Sequence, residues 1–253
     1  MKGRAGFALA LIAALLCAVA RADTVTVAVA ANFAAPAKAL AEVLRKTTGH
    51  TAQLSFGATG MFTTQIGNGA PFDVFMAADA KNPAKLEAEG FTVPGSRLTY
   101  ATGRLALWSA QADFVDAQGK VLGSGQFNKL AIANPKFAPY GEAAMQTLGK
   151  LGLAGRLTPR LVMGESIGQT YQFVVSGNAQ LGFVALSQVM ADGALKTGSL
   201  WVVPQDLHAP IVQDAVLLRR GADNPAARAW MALLQAPATR DLIRDYGYAG
   251  ADR

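Results

Sequence analysis

The residues best suited to chemistry fall in four short segments that share one design: a small or polar residue closes an apolar run, and a helical pattern follows at once. They are Ala31-Asn32, Gly57-Ala58-Thr59-Gly60, Ala138-Pro139-Tyr140-Gly141 and Ser166-Ile167-Gly168-Gln169. The first turn of a helix presents N–H groups without intrahelical acceptors and a partial positive charge, and together these attract anions. Thr59 adds a hydroxyl and Tyr140 a phenol, Asn32 stands where it could cap the helix behind it, and Gly57 and Gly60 allow close backbone approach. Ser166 and Gln169 make a capping box, which leaves the Ile167 N–H free to point outward. One such segment is an ordinary capped helix. Four of them at the carboxyl ends of strands, where open α/β sheets bind their ligands, make a candidate site.

No donor position in these segments is Lys, Arg or His, so an anion there would be held by neutral amides, hydroxyls and helix ends. Hydrogen phosphate carries a proton that needs an acceptor, and the only carboxylate nearby is Glu165, which reads as an exposed residue at a helix start. The pattern therefore favours a fully ionised anion over hydrogen phosphate, and proton counting does not separate one such anion, sulfate among them, from another.

Enzyme chemistry finds little support. The chain has two histidines, His50 at a helix exit and His208 in a connection, and both read as surface residues. It has no H-E-x-x-H, G-x-S-x-G or P-loop, and Gly123-Ser124-Gly125-Gln126-Phe127-Asn128 lacks the third glycine of a dinucleotide fingerprint. We expect no enzyme activity, no cofactor and no bare metal ion. Basic residues are scattered without an aromatic-interleaved stripe, which argues against nucleic acid.

The elements that must position these segments read as two βα series. Thr24–Val29 is β-branched and alternating, and apolar positions at Ala37, Leu40, Val43 and Leu44 predict a helix ending at Gly49. Strands are expected at 51–56, 72–76, 104–108, 130–133 and 181–185. Further helices are expected at 61–66, 81–89, 142–151 and 167–175, with two more after Asn224-Pro225 and Pro237. Such alternation predicts an α/β fold of two lobes, each a mostly parallel sheet flanked by helices. The expected division is 23–101 for the first lobe, 102–208 for the second, and 209–253 returning to the first.

Lys2 and Arg4, an apolar run from Phe7 to Ala20 and the triplet Ala20-Arg21-Ala22 predict a cleaved signal peptide over 1–22 and an exported, periplasmic protein. The run is short of the ~20 apolar residues a bilayer demands. Cys17, the single cysteine, lies within it, so the mature chain would have no thiol chemistry. Of 23 basic residues three lie in that segment, which leaves 20 against 17 acidic ones and a net charge of +3, a mild bias toward anions.

Several longer blocks resemble the periplasmic molybdate-binding proteins of bacterial ABC importers. They are V-A-A-N-F at 29–33, S-F-G-A-T-G at 55–60, Q-I-G-N-G-A-P-F-D-V-F at 65–75, N-P-K-F-A-P-Y-G at 134–141 and G-N-A-Q-L-G-F-V-A-L-S-Q at 177–188. The resemblance spans the mature chain. It implies the two-lobed periplasmic binding protein fold of type II, molybdate or tungstate as ligand with sulfate or another small oxyanion as the alternative, an inner-membrane permease as partner, and a monomer. Carried over by position, the implied ligand donors are Ala31, Asn32, Thr59, Tyr140 and the backbone of Ile167, with either the phenol or only the amide of Tyr140 reaching the anion. Ala185 stands where one branch of the family has a ligand-contacting tyrosine.

Overall fold

In the computed structural model, which describes residues 22–191 and 193–250, β-branched and alanine-rich segments build two sheets. The expected signal peptide and Cys17 lie essentially outside these residues. The first series runs β1 (Thr24–Ala30), α1 (Ala34–Thr48), β2 (Thr51–Gly57), α2 (Thr59–Gly67), β3 (Val74–Met76), α3 (Lys81–Ala88) and β4 (Leu98–Gly103). The second runs β5 (Leu105–Ser109), α4 (Val121–Ser124), β6 (Leu130–Ala133), α5 (Pro139–Lys150), α6 (Ala154–Leu157), β7 (Leu161–Gly164), α7 (Ile167–Val175), β8 (Leu181–Ala185) and α8 (Leu186–Val189). A small hairpin of β9 (Met190–Ala191) and β10 (Ala194–Leu195) precedes β11 (Ser199–Val202). The chain then returns through β12 (Ile211–Leu217) and closes with α9 (Pro225–Gln235) and α10 (Pro237–Asp245).

The first sheet has the order β2-β1-β3-β12-β4 and the second β11-β5-β8-β6-β7. One strand in each runs against the others, β12 in the first and β5 in the second. Each is the strand entered directly after the chain changes sheet, where no helix is available to reverse it. The first change falls at Arg104, because Thr102 and Gly103 still pair with Val212 and Ile211 in the first sheet. That is two residues beyond the expected boundary at 101/102, since the Thr-rich stretch 98–103 is a strand and not a linker. The second change lies between Val202 and Ile211.

Each lobe has its own apolar centre. Val25, Val27, Val29, Phe33, Leu40 and Leu44 pack with Trp230 and Leu234 in the first, which is why the last helices return to it. Leu105, Leu107, Leu130, Ile132, Leu181 and Phe183 fill the second, and Ala30, Ala78 and Ile211 of the first lobe join that cluster at the seam. His208 departs from the surface reading. It is buried in the second connection, with Nδ1 2.8 Å from the Ala209 carbonyl.

Two helix starts carry the N-caps that the sequence implies. Asn224 Oδ1 accepts the Ala226 N–H at 2.9 Å, and Ser166 Oγ accepts the Gln169 N–H at 3.3 Å, whereas Gln169 Oε1 takes the N–H of Glu165, one residue before the N-cap, at 2.7 Å instead of closing the expected box on Ser166. Asn32 caps nothing. It sits inside a 3₁₀ turn (Ala31–Phe33), and Phe33 occupies the N-cap of α1.

Gly141 lies so close to the end of β6 that a β-carbon there would overlap the Ala133 carbonyl oxygen. Gly141→Ala is expected to cost about 1–3 kcal/mol through this overpacking, measured by urea denaturation.

Candidate anion-binding site

The four helix starts converge. Ala31, Asn32 and Thr59 from the first lobe face Tyr140 and Ile167 from the second across one small cavity, so all five expected residues share it. The lobes are closed on it. Gly60 N–H donates to the Phe137 carbonyl at 2.9 Å, Ser187 Oγ donates to the Asn32 carbonyl at 2.9 Å, and an added β-carbon on Gly168 would come within 3.2 Å of the Ala31 β-carbon. The room left for the centre of a water-sized sphere is about 10 Å³, roughly one solvent molecule's worth. Cavities for drug-sized ligands run to ~300–1,000 Å³, far more than the room between these segments.

Among the described residues no charged side chain lines the cavity. Thr59 is buried at the first position of α2, and its Oγ1 accepts the Ala78 N–H at 3.0 Å. A hydroxyl used as acceptor by the protein keeps its hydrogen for the occupant of the cavity. Among the described residues the first-turn N–H groups of Thr59, Tyr140 and Ile167 have no protein acceptor either. Gly57 lines the cavity and lies beneath the Phe62 ring, whereas Gly60 packs against the Phe137 backbone.

The phenol of Tyr140 is engaged elsewhere. It accepts a hydrogen bond from Gln213 Nε2 at 3.2 Å and lies where a β-carbon on Gly103 would be, at the hinge strands β4 and β12. Tyr140 thus presents its backbone, at the second position of α5, to the cavity. Asn32 likewise turns its side chain inward, with Nδ2 donating to Gln213 Oε1 at 2.9 Å and to Tyr248 Oη at 3.0 Å, while Tyr248 donates to the Asn32 carbonyl at 2.8 Å.

A model of the bacterial extracellular solute-binding proteins matches residues 25–249. The chain belongs to this family. Relatives include the molybdate-binding protein ModA of Azotobacter vinelandii, 57% identical over 94% of this chain and 95% of that one. ModA of Rhodobacter capsulatus is 51% identical over 90% of this chain and 89% of that one. The solved periplasmic molybdate-binding protein of A. vinelandii superposes with a TM-score of 0.88 at 43% identity, covering 90% of this chain and all of that one.

Behind the cavity of this solute-binding protein stands a shell that the four segments did not reveal. Gln188 Nε2 donates to the Ile167 carbonyl at 3.1 Å and its Oε1 accepts the Ala185 N–H at 3.0 Å, so one side chain ties β8 to the start of α7. Ser187 and Gln188 end the 177–188 block, which carried the family signature without an assigned role. Tyr100, Gln213 and Tyr248 belong to no motif.

Burial raises the proton affinities of Tyr100 and Tyr140 well above the usual phenol value and raises that of Tyr248. Neighbouring phenols add to the effect on Tyr100 and Tyr140, whereas the hydrogen bond from Gln213 opposes it at Tyr140. Above pH 10 the unfolded chain ionises its phenols and the native one keeps these three neutral. The unfolded state then binds fewer protons, so stability falls as pH rises, by up to ~1.4 kcal/mol per pH unit for each phenol. Thermal melts are expected to show this stability loss setting in near pH 10, with a shallower decline in Tyr140→Phe.

Proposed function

We propose that this solute-binding protein captures molybdate in the cavity between its lobes and presents it to an inner-membrane permease of an ABC importer. The observation that carries the reading is the uncharged donor set converging from helix starts on both lobes. A dianion leaving water needs several donors at once, and charge-assisted hydrogen bonds contribute ~1.5–3 kcal/mol each. About six, from first-turn amides at Ala31, Asn32, Thr59, Tyr140 and Ile167 together with the Thr59 hydroxyl, suffice for micromolar or tighter binding after association costs. Kinship with the ModA proteins of A. vinelandii and R. capsulatus supports molybdate specifically. The family serves transport and is not enzymatic.

Tungstate, nearly the same size and charge as molybdate, fits the same reading. Sulfate is disfavoured because a shorter tetrahedron would stretch hydrogen bonds to donors spaced for a larger one. The reading also includes export by the signal peptide over 1–22, work in the periplasm, and a monomer whose closed form the permease recognises.

Titration calorimetry of the chain from residue 23 onward is expected to give strong heat with molybdate or tungstate and little with sulfate or phosphate. No heat with either metal oxyanion contradicts the proposal. Thr59→Val keeps the shape, removes the hydroxyl hydrogen, and is expected to cost ~1.5–3 kcal/mol of molybdate affinity in the same measurement.

A further inference from the structure

Gln213 lies on a return strand far in sequence from every ligand-facing segment. It is fully buried, and β12 shifts register between Gln213 and Asp214. A bulge of this kind re-aims a side chain out of the regular alternation. Its carboxamide here reaches two of the five site residues, one in each lobe. Oε1 accepts from Asn32 Nδ2 at 2.9 Å and from Tyr100 Oη at 3.0 Å, and Nε2 donates to Tyr140 Oη at 3.2 Å.

We propose that Gln213 is the positioning residue that couples ligand capture to lobe closure, by clasping Tyr140 of the second lobe to Asn32 of the first on the hinge side of the cavity. The inference rests on the molybdate reading and adds a residue that acts through others, since Gln213 does not line the cavity. Tyr140 rides on α5, packed against the second sheet, whereas Gln213 and Asn32 belong to the first lobe. Parting the lobes separates Nε2 from the phenol and admits water between them. Closing them restores the bond in a dry setting, where it is electrostatically stronger.

Two unfilled valences strengthen the case. Asn32 Oδ1 is buried without a partner, and the Tyr140 hydroxyl, which stands beside Asn32 and accepts from Gln213, has no protein acceptor for its own hydrogen among the described residues. A small shift of the phenol toward Asn32 would complete a ring of Gln213, Tyr140 and Asn32. Fixing that ring fixes the Asn32 and Tyr140 backbones whose amides face the cavity.

A clasp formed after the anion has entered retards escape and leaves entry unchanged, so it acts on the dissociation rate. The test is a double-variant cycle of Tyr140→Phe, Gln213→Met and both together. Release of radiolabelled molybdate into excess unlabelled molybdate and initial uptake rates are measured, with radius of gyration by small-angle scattering as the readout of closure. Tyr140→Phe is expected to speed release about three- to tenfold, with any change in uptake smaller than the change in release. Gln213→Met is expected to speed it at least as much, and the double variant to release no faster than Gln213→Met, because the two side chains share one bond. The molybdate-bound variants should also be less compact than the bound parent.

Release at the parent rate in both single variants, or effects that multiply independently in the double one, overturns the clasp while leaving molybdate capture standing. A parent that takes up neither molybdate nor tungstate overturns both. Should Gln213→Met fail to fold, Gln213→Asn replaces it in the cycle, since the shorter amide cannot span to both partners.

Discussion

A doubly charged ion gives up a large hydration energy when it leaves water, and among the described residues the cavity between the lobes offers no charged side chain to replace it. That constraint orders the rest of the molecule. Only groups with fixed dipoles remain, and the densest source of them is the unpaired first turn of a helix. Several helix starts must therefore aim at one point. A single sheet sends its helices away from the carboxyl edge on diverging paths, so two sheets facing each other supply the convergence more simply.

The seam between the lobes is built to bring those helix starts together and to exclude water. Small residues dominate where the lobes touch: Ala31 against Gly168, Gly60 against Phe137, and Gly103 beneath the Tyr140 phenol. Direct charge pairing contributes little to holding the lobes shut. Lys81 and Glu142 form one ion pair across the seam at 3.0 Å, but both side chains are largely exposed, and such pairs are worth ~0–1 kcal/mol. Buried polar contacts such as Ser187 to Asn32 and Gln213 to Tyr140 are made out of water, where leaving one unmade is costly.

The helix starts were legible from sequence because their signals are local. Thr59, Tyr140 and Ile167 each follow a strand-forming run and open a helical one, and Ser166 with Gln169 is a cap that depends on four consecutive residues. Asn32 was legible as a site residue but not in its role, since a capping pattern cannot announce that the amide has a better partner 181 residues away. Two of the strands missed in the sequence share a physical reason. Ile211–Leu217 carries Gln213 and Asp214 in the middle of an apolar run, and Leu98–Gly103 alternates small and hydroxylated residues. Both are hinge strands whose polar members face a buried network, so the hydrophobic period that marks a strand is broken where the fold uses polar groups inside.

His208 was misread for a related cause. Charge and polarity suggest surface for a residue in a connection, yet this connection packs at the hinge, and the ring is buried. The same region holds Tyr100, Tyr140 and Tyr248, three buried phenols within one polar cluster, with Phe33 edge-on to two of them at 4.8 and 5.4 Å. Aromatic rings with hydroxyl ends suit a hinge that must be rigid yet satisfied, because each buries a large apolar body and still delivers a hydrogen bond at its tip. The cavity and the hinge thus meet through Asn32 and Tyr140, which line the cavity while their side chains engage the hinge network. On the proposed reading, an anion that fixed those backbones would also fix the network behind them, so that capture and closure would run through the same two residues.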